Sequence, residues 1–201
     1  MLEEAMKEGN YSTEYMRNLR TTLEHNILLG NVPEVMEGIK KYGIIINVNI
    51  GMLRDVPENI RDYGEELRKF AMPVKTWIND GIRVTFEAAG TDFWTPIYSL
   101  VTRKIPGSRQ DFLTGKPVPE VVVLPEQGID RVTALKMTTT WASEYMMAED
   151  TIGTLEPGKY ADFAVLDKDF FTIPIEEIRG LEVIMTGLSG EIIWDASQAG
   201  N

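Results

Sequence analysis

Cysteine is absent from this sequence of 201 residues, and histidine occurs once, at His25. Without cysteine the chain can form no disulfide, bind no zinc through thiolates and use no thiol as a nucleophile. A catalytic zinc ion is commonly held by three protein ligands, most of them histidines. One histidine and scattered acidic residues therefore cannot complete such a site without help from another polypeptide.

Long apolar runs and basic clusters are lacking as well. The longest apolar stretches, such as residues 44–46 and 121–124, are far shorter than the roughly 20 residues of a membrane-spanning helix. No N-terminal signal peptide is visible. The formal net charge is -11, from 31 acidic and 20 basic residues, and no basic stripe suited to nucleic acid interrupts it. We therefore expect a soluble, cytoplasmic protein that binds neither nucleic acid nor a membrane.

Strand and helix patterns alternate in the first half of the chain. Residues 21–29, 44–48 and 82–86 are rich in β-branched and apolar side chains, which predicts three strands. A helix is predicted between the first two, with Asn31 as its cap, Pro33 in its first turn and Gly43 as its stop signal. A second helix, broken near residue 73, is predicted over residues 60–79. This order is typical of βαβ units with parallel strands.

The rest of the sequence predicts helices at the N-terminus and in the second half, followed by a change of texture. The helices are expected over residues 1–18, 96–103 and 130–147. Beyond residue 150, turn residues separate short apolar segments at 161–166, 181–185 and 191–194, which predicts a small antiparallel β unit. We therefore divide the chain into residues 1–150 and 151–201.

A longer motif lies across that division. Residues 148–167 read AEDTIGTLEPGKYADFAVLD, with a turn at Pro157-Gly158 and a strand that begins after Asp162. This segment closely resembles the C-terminal signature of the amidohydrolase superfamily, as do the preceding helix and the closing hairpin at residues 185–194. The signature is structural and carries no catalytic group.

A second resemblance lies upstream, where residues 20–25 read Arg-Thr-Thr-Leu-Glu-His. They are similar to the Arg-x-x-Ile-Glu-His motif of amidohydrolase family 3, whose histidine binds a catalytic metal. The resemblance implies an α/β fold: the last three strands and helices of a (β/α)8 TIM barrel over residues 1–150, then the small antiparallel β unit of the composite domain over residues 151–201. It also implies that the first five barrel strands, with their metal ligands, are not part of this chain.

The function that this resemblance implies is that of a metal-dependent hydrolase acting on carbon–nitrogen bonds other than peptide bonds, in amide or cyclic amide substrates. The cofactor would be a divalent metal, zinc being the expected one. His25 would be a metal ligand. Asp92, in Gly90-Thr91-Asp92 after the last barrel strand, would be a metal ligand and the catalytic base that takes a proton from the attacking water.

Alone, the chain is expected to be inactive and to bind the metal weakly. Three parallel strands cannot close a barrel, so they should leave open edges and bare apolar side chains. We therefore expect the chain to self-associate or to pair with an N-terminal half.

Departures from the family pattern keep alternatives open. The usual His-x-His has no counterpart, Asn47 and Asn49 follow the second strand, and an insertion-like Glu87-Ala88-Ala89 precedes residues 90–92. Asp92 could instead cap a helix, since aspartate is a favoured capping residue. His25 could be an ordinary surface residue, so that the whole chain would be a non-catalytic, metal-free scaffold or interaction protein.

Arg20 and Glu24 are two further residues of the motif. Arg20 could pair with Glu24, bind a substrate carboxylate or remain a solvated charge. Glu24 should point away from His25, because successive side chains of a strand lie on opposite faces.

Overall fold

The computed structural model describes residues 2–26, 28–88, 92–107, 115–117 and 119–198. In chain order its helices and strands are α1 (Leu2–Gly9), α2 (Thr13–Asn18), β1 (Thr22–His25), α3 (Pro33–Tyr42), β2 (Ile45–Val48), α4 (Val56–Tyr63), α5 (Val74–Asn79), β3 (Val84–Phe86), α6 (Trp94–Thr102), β4 (Lys104–Ile105), β5 (Val121–Val122), α7 (Arg131–Thr138), α8 (Thr140–Tyr145), β6 (Phe163–Leu166), β7 (Val183–Leu188) and β8 (Glu191–Asp195). None of the helices in these ranges is long and apolar enough to cross a membrane.

The first three strands form a parallel sheet in the order β1-β2-β3. This confirms the strand and helix alternation that the sequence predicts. Helix α3 begins at Pro33 and ends at Gly43, whose φ of 64° is the left-handed conformation that glycine adopts most readily. The predicted cap at Asn31 is wrong, because the residue before the helix is Val32, which makes no side-chain capping bond.

Three of the predicted helices are interrupted. Residues 1–18 form α1 and α2, separated by a turn in which Asn10 has a φ of 54°. Residues 60–79 contain the end of α4, a 3-10 helix at Glu65–Phe70 and α5, because Gly64 takes a φ of 99°. Residues 130–147 form α7 and α8, broken at Thr139.

The core lies around the parallel sheet. All four residues of β2 are buried, and the side chains of Ile46, Val48 and Val84 pack in one apolar cluster with residues of α3, α5, α6 and α7. Trp77 on α5 is fully buried, and its indole Nε1 donates to the Gly30 carbonyl at 2.8 Å. The expectation that these strands would leave their isoleucine and valine side chains bare is therefore wrong.

A buried arginine fixes the end of α6. Arg103 has a φ of 60°, and its guanidinium donates to the carbonyls of Val123 at 2.9 Å, Met72 at 3.1 Å and Ala71 at 3.1 Å. Burial lowers the pKa of Arg103 to about 10. Beside it, β4 and β5 pair antiparallel, so that three distant parts of the chain meet at this side chain.

The last three strands form an antiparallel sheet in the order β6-β7-β8. This confirms the small antiparallel β unit. Unlike the parallel sheet, it leaves several apolar side chains exposed, among them those of Val165, Ile184 and Ile193. The domain boundary at residue 150 stays a prediction.

Candidate active site

Three polar side chains converge where the parallel strands end. His25 is the last residue of β1, Asn49 directly follows β2 and Glu87 directly follows β3. The carboxyl ends of parallel strands meet at one edge of a sheet, and α/β proteins commonly place their ligand-binding groups there. This edge is therefore the candidate active site.

The imidazole of His25 lies against the carboxylate of Glu87. Its Nε2 is 3.0 Å from Glu87 Oε1, and the amide Nδ2 of Asn49 donates to the same oxygen at 2.8 Å. The side chains of His25 and Glu87 are 55% and 35% exposed. An imidazole, a carboxylate and an amide thus form an open cluster that a small ligand could reach.

The backbone at His25 is unusual. His25 and Asn26 have φ angles of 66° and 49°, in the left-handed region that few non-glycine residues adopt. The side chain of Asn26 stabilises this turn, because its Nδ2 donates to the carbonyls of Leu23 at 2.5 Å and Asn47 at 3.2 Å. The direction of the His25 side chain is therefore set by a braced turn at the end of β1.

A row of hydrogen-bonded polar side chains crosses the sheet next to this cluster. Asn47 Nδ2 donates to Glu24 Oε2 at 2.6 Å, and Thr85 Oγ1 donates to Asn47 Oδ1 at 3.1 Å. Tyr145 of α8 donates to Glu24 Oε1 at 3.2 Å. Glu24, Asn47 and Thr85 are register partners one position before His25, Val48 and Phe86. Because His25 has a φ of 66°, strand alternation does not fix the direction of its side chain, and the expectation that Glu24 points away from His25 stays a prediction.

The hydrogen bonds of this row stabilise the negative charge of Glu24. Burial opposes the ionisation of Glu24, but hydrogen bonds from Asn47, Thr22 and Tyr145 outweigh it, so the pKa of Glu24 lies below its ordinary value. The pKa of Tyr145 is raised by burial and by the neighbouring negative charge of Glu24. Tyr145 therefore remains a protonated donor and Glu24 an ionised acceptor.

Asp92 interacts with the first turn of α6. Its Oδ1 accepts the backbone N–H groups of Trp94 at 3.0 Å and Thr95 at 3.1 Å, and its Oδ2 accepts the Thr95 hydroxyl. Burial raises the pKa of Asp92, but these hydrogen bonds outweigh it and lower the pKa. They are the contacts that the capping alternative predicts, and a lowered pKa makes Asp92 a weaker proton acceptor. Gly90 and Thr91 lie outside the described residues.

Arg20 pairs with Glu149 and not with Glu24. Its guanidinium forms two hydrogen bonds with the carboxylate of Glu149 and one with the carbonyl of Glu144, at 3.1 Å. The ion pair joins the segment before β1 to the segment after α8. Arg20 thus links two segments of the chain, and of its alternatives the pairing with Glu24 is wrong.

The donor set at the sheet edge fits a divalent metal in part. An imidazole nitrogen and a carboxylate oxygen are both zinc ligands, but the described residues contain no group of three histidine, aspartate or glutamate side chains that could hold a metal ion. His25 and Glu87 could supply two positions. The sequence interpretation missed Glu87 because it treated residues 87–89 as an insertion, although the position directly after β3 is itself a signal.

Comparison with known proteins places this geometry in a family. The model of the amidohydrolase family matches residues 3–194. The 5-methylthioadenosine/S-adenosylhomocysteine deaminase of Thermodesulfovibrio yellowstonii is 25% identical over 172 residues, which cover 83% of this chain and 34% of the deaminase. The chain therefore spans about a third of the length of this curated relative.

Solved structures share the fold. A metal-dependent hydrolase of uncharacterised function from Pyrococcus horikoshii OT3 superposes with a TM-score of 0.59 and 20% identity over 85% of this chain and 34% of the hydrolase. A Xaa-Pro dipeptidase with methionine in its active site superposes with a TM-score of 0.58 and 15% identity over 95% of this chain and 47% of the dipeptidase. At these identities the likeness concerns the fold.

Proposed function

Because the chain belongs to the amidohydrolase family, we propose that it forms the C-terminal part of a metal-dependent hydrolase that acts on carbon–nitrogen bonds other than peptide bonds. In this proposal residues 1–150 supply the last three strands of a (β/α)8 barrel, and residues 151–201 are a small β domain. The remaining strands and metal ligands come from an N-terminal half, without which the chain is inactive.

One observation carries the proposal: the only histidine of the chain stands at the carboxyl edge of a parallel sheet, with its imidazole directed at a carboxylate. A surface histidine without a function could lie anywhere. At this edge His25 is where barrel enzymes place their reactive groups. Its position also agrees with the motif at residues 20–25.

The chemistry divides between a divalent ion and the protein. The ion, zinc in the first instance, would polarise the scissile bond and acidify a water molecule so that it ionises near neutral pH. His25 would hold it through Nε2. Asp92 would accept the proton of the attacking water, for which its carboxylate has to exchange at least one hydrogen bond with α6.

The curated relative supports this substrate class. The name of the curated relative describes a deaminase, which hydrolyses a carbon–nitrogen bond outside a peptide, and this favours a small molecule with an amide, cyclic amide or exocyclic amino group. The Xaa-Pro dipeptidase shares only the fold with this chain. Xaa-Pro dipeptides are therefore the competing substrates that a test should include.

Complementation tests the proposal. The chain would be combined with a polypeptide that carries the first five barrel strands of a family member, and release of ammonia or amine would be measured with zinc present. We expect turnover only from the pair. The loss of a residue that supports a metal ligand lowers activity by up to about 100-fold, and we expect His25→Ala to lower turnover by more than that. Asp92→Asn should also abolish turnover at a nearly unchanged melting temperature.

Several results would contradict parts of the proposal. Cleavage of Xaa-Pro dipeptides alone would overturn the substrate class. A stable pair that retains zinc in the His25→Ala variant would show that His25 is not a required ligand, and a stable pair that turns over nothing would favour the non-catalytic scaffold. For Asp92→Asn, near-normal turnover with a stability loss of about 1 kcal/mol would identify a helix cap.

A further inference from the structure

We propose that Glu87 is the carboxylate that binds the metal ion beside His25, with Asn49 as the residue that positions it. The inference rests on the proposed function, since it concerns the same edge of the sheet. It assigns a ligand that the family motif does not contain. Asp92 is then left to act as a base or to cap α6.

Distance is the first support. Zinc ligands of this type lie about 2.0–2.2 Å from the ion, so two neighbouring ligand atoms at tetrahedral or octahedral angles are about 3–3.5 Å apart. His25 Nε2 and Glu87 Oε1 are 3.0 Å apart. An ion can therefore bind both atoms with small rotations of two partly exposed side chains.

The backbone gives the second support. The N–H of Glu87 donates to the carbonyl of Val48 at 3.0 Å, which continues the hydrogen-bond ladder between β2 and β3 by one residue. Glu87 is thus attached to the sheet edge that carries His25. The hydrogen bonds of Asp92 instead attach it to the first turn of α6.

Asn49 completes the arrangement. Its Nδ2 donates to Glu87 Oε1 at 2.8 Å, which holds the carboxylate next to His25. A hydrogen-bonded carboxylate keeps its orientation when an ion binds, and such supporting contacts commonly govern metal affinity. Asn49 is therefore a positioning residue, whereas His25 and Glu87 would touch the ion.

Nuclear magnetic resonance can test the site without any catalytic assay. Because His25 is the only histidine of the chain, its two imidazole nitrogens give the only histidine side-chain signals. Zinc chloride would be titrated into the full chain and into the variants Glu87→Gln, Asn49→Ala and Asp92→Asn. The matched control is Glu66→Gln, which removes an exposed carboxylate that pairs with Lys69.

We expect zinc to shift the Nε2 signal of the unchanged protein and of the control. Glu87→Gln should weaken zinc binding about tenfold or more, and Asn49→Ala should weaken it less, at an unchanged melting temperature. Asp92→Asn should bind zinc within about twofold of the unchanged protein.

The outcomes separate this inference from the proposed function. If Asp92→Asn weakens zinc binding and Glu87→Gln does not, Asp92 is the ligand, and the assignment of Glu87 is overturned while the hydrolase proposal stands. The assignment also fails if neither variant weakens binding. If zinc at about 1 mM leaves the His25 signals in place, neither His25 nor Glu87 binds it in the chain alone, and the assignment of Glu87 is overturned. The hydrolase proposal, in which an N-terminal half supplies the remaining ligands, is then decided by the complementation experiment.

Discussion

The two three-stranded sheets use apolar side chains in opposite ways. Every residue of β2 in the parallel sheet is buried, whereas Ile192, Ile193 and Trp194 of β8 in the antiparallel sheet are exposed. Burial of apolar area is the main driving force of folding, and contiguous exposed apolar area commonly marks a contact surface. We therefore expect the parallel sheet to contribute most of the stability, and we expect self-association, if the chain undergoes it, to use the exposed apolar side chains of the antiparallel sheet.

Two tryptophans allow the sharpest test of that division. Trp77 is fully buried and hydrogen-bonded to Gly30, whereas Trp194 is 44% exposed. Trp77→Ala should lower the free energy of unfolding by about 3–5 kcal/mol, because it leaves a cavity and an unpaired carbonyl. Trp194→Ala should cost less than about 1 kcal/mol. Urea unfolding followed by circular dichroism measures both.

Trp77→Phe serves as the control, since it keeps most of the volume and removes the indole N–H. Its cost should fall between the two alanine variants. Equal losses of unfolding free energy for Trp77→Ala and Trp194→Ala would show that the antiparallel sheet contributes to stability as much as the parallel sheet does. That result would contradict the difference between the two sheets.

Self-association provides the second test. The net charge of -11 repels copies of the chain at low salt, but at 0.15 M ionic strength that repulsion extends only about 8 Å. We expect association to increase from low to physiological salt in sedimentation velocity. Ile193→Glu, at a position 58% exposed on β8, should suppress the increase.

The matched control for that variant is Val132→Glu, which adds the same charge at a position 50% exposed on α7. It should leave most of the salt dependence intact. An unchanged protein that stays monomeric at every salt concentration would contradict the expectation. Equal suppression by both variants would mean that net charge, and not the apolar surface of β8, controls association.

The smallest effect concerns the ion pair between Arg20, before β1, and Glu149, after α8. The hydrogen bonds from Arg20 lower the pKa of Glu149 from its ordinary 4.5 to about 2. Because the pKa of Glu149 is lower in the folded state than in the unfolded state, the ion pair stabilises the fold above pH 4.5, and this stabilisation is lost as the pH falls toward 2. Both side chains are about one third exposed, so the contribution is modest.

Glu149→Gln should therefore flatten the decrease in stability between pH 4.5 and 2, as measured by urea midpoints at several pH values. Glu8→Gln, on the exposed surface of α1, controls for the removal of a carboxyl group. The ion-pair interpretation fails if the two variants show the same pH dependence.

The sequence predicts well those elements of the fold that are determined by neighbouring residues. Pro33 and Gly43 mark the ends of α3 because their backbone preferences act within one turn, and the apolar run at residues 44–48 predicts the buried strand β2. The break at Thr139 has only a weak signal, the run of three β-branched threonines at residues 138–140. In the folded chain a φ of -121° and a ψ of -91° at Thr139 separate α7 from α8.

The candidate site is predictable only in part for the same reason. The motif at residues 20–25 leads to His25, and Asp92 can be recognised as a helix cap from the threonine three residues later. Glu87 is recognised only through its distance to His25, which depends on the pairing of β1, β2 and β3. A contact between residues 62 positions apart leaves no pattern in the sequence.

Arg103 has a consequence for where the chain can be divided. Together with the pairing of β4 and β5, its bond to Val123 holds both ends of the intervening segment, residues 106–120, next to each other. Doubling the length of a flexible loop costs only about 0.6 kcal/mol in closure entropy. A tag inserted within this segment should therefore be tolerated. If the chain is divided there into two polypeptides, one carries Arg103 and β4 and the other carries β5 and Val123, so that the two could reassemble through these contacts.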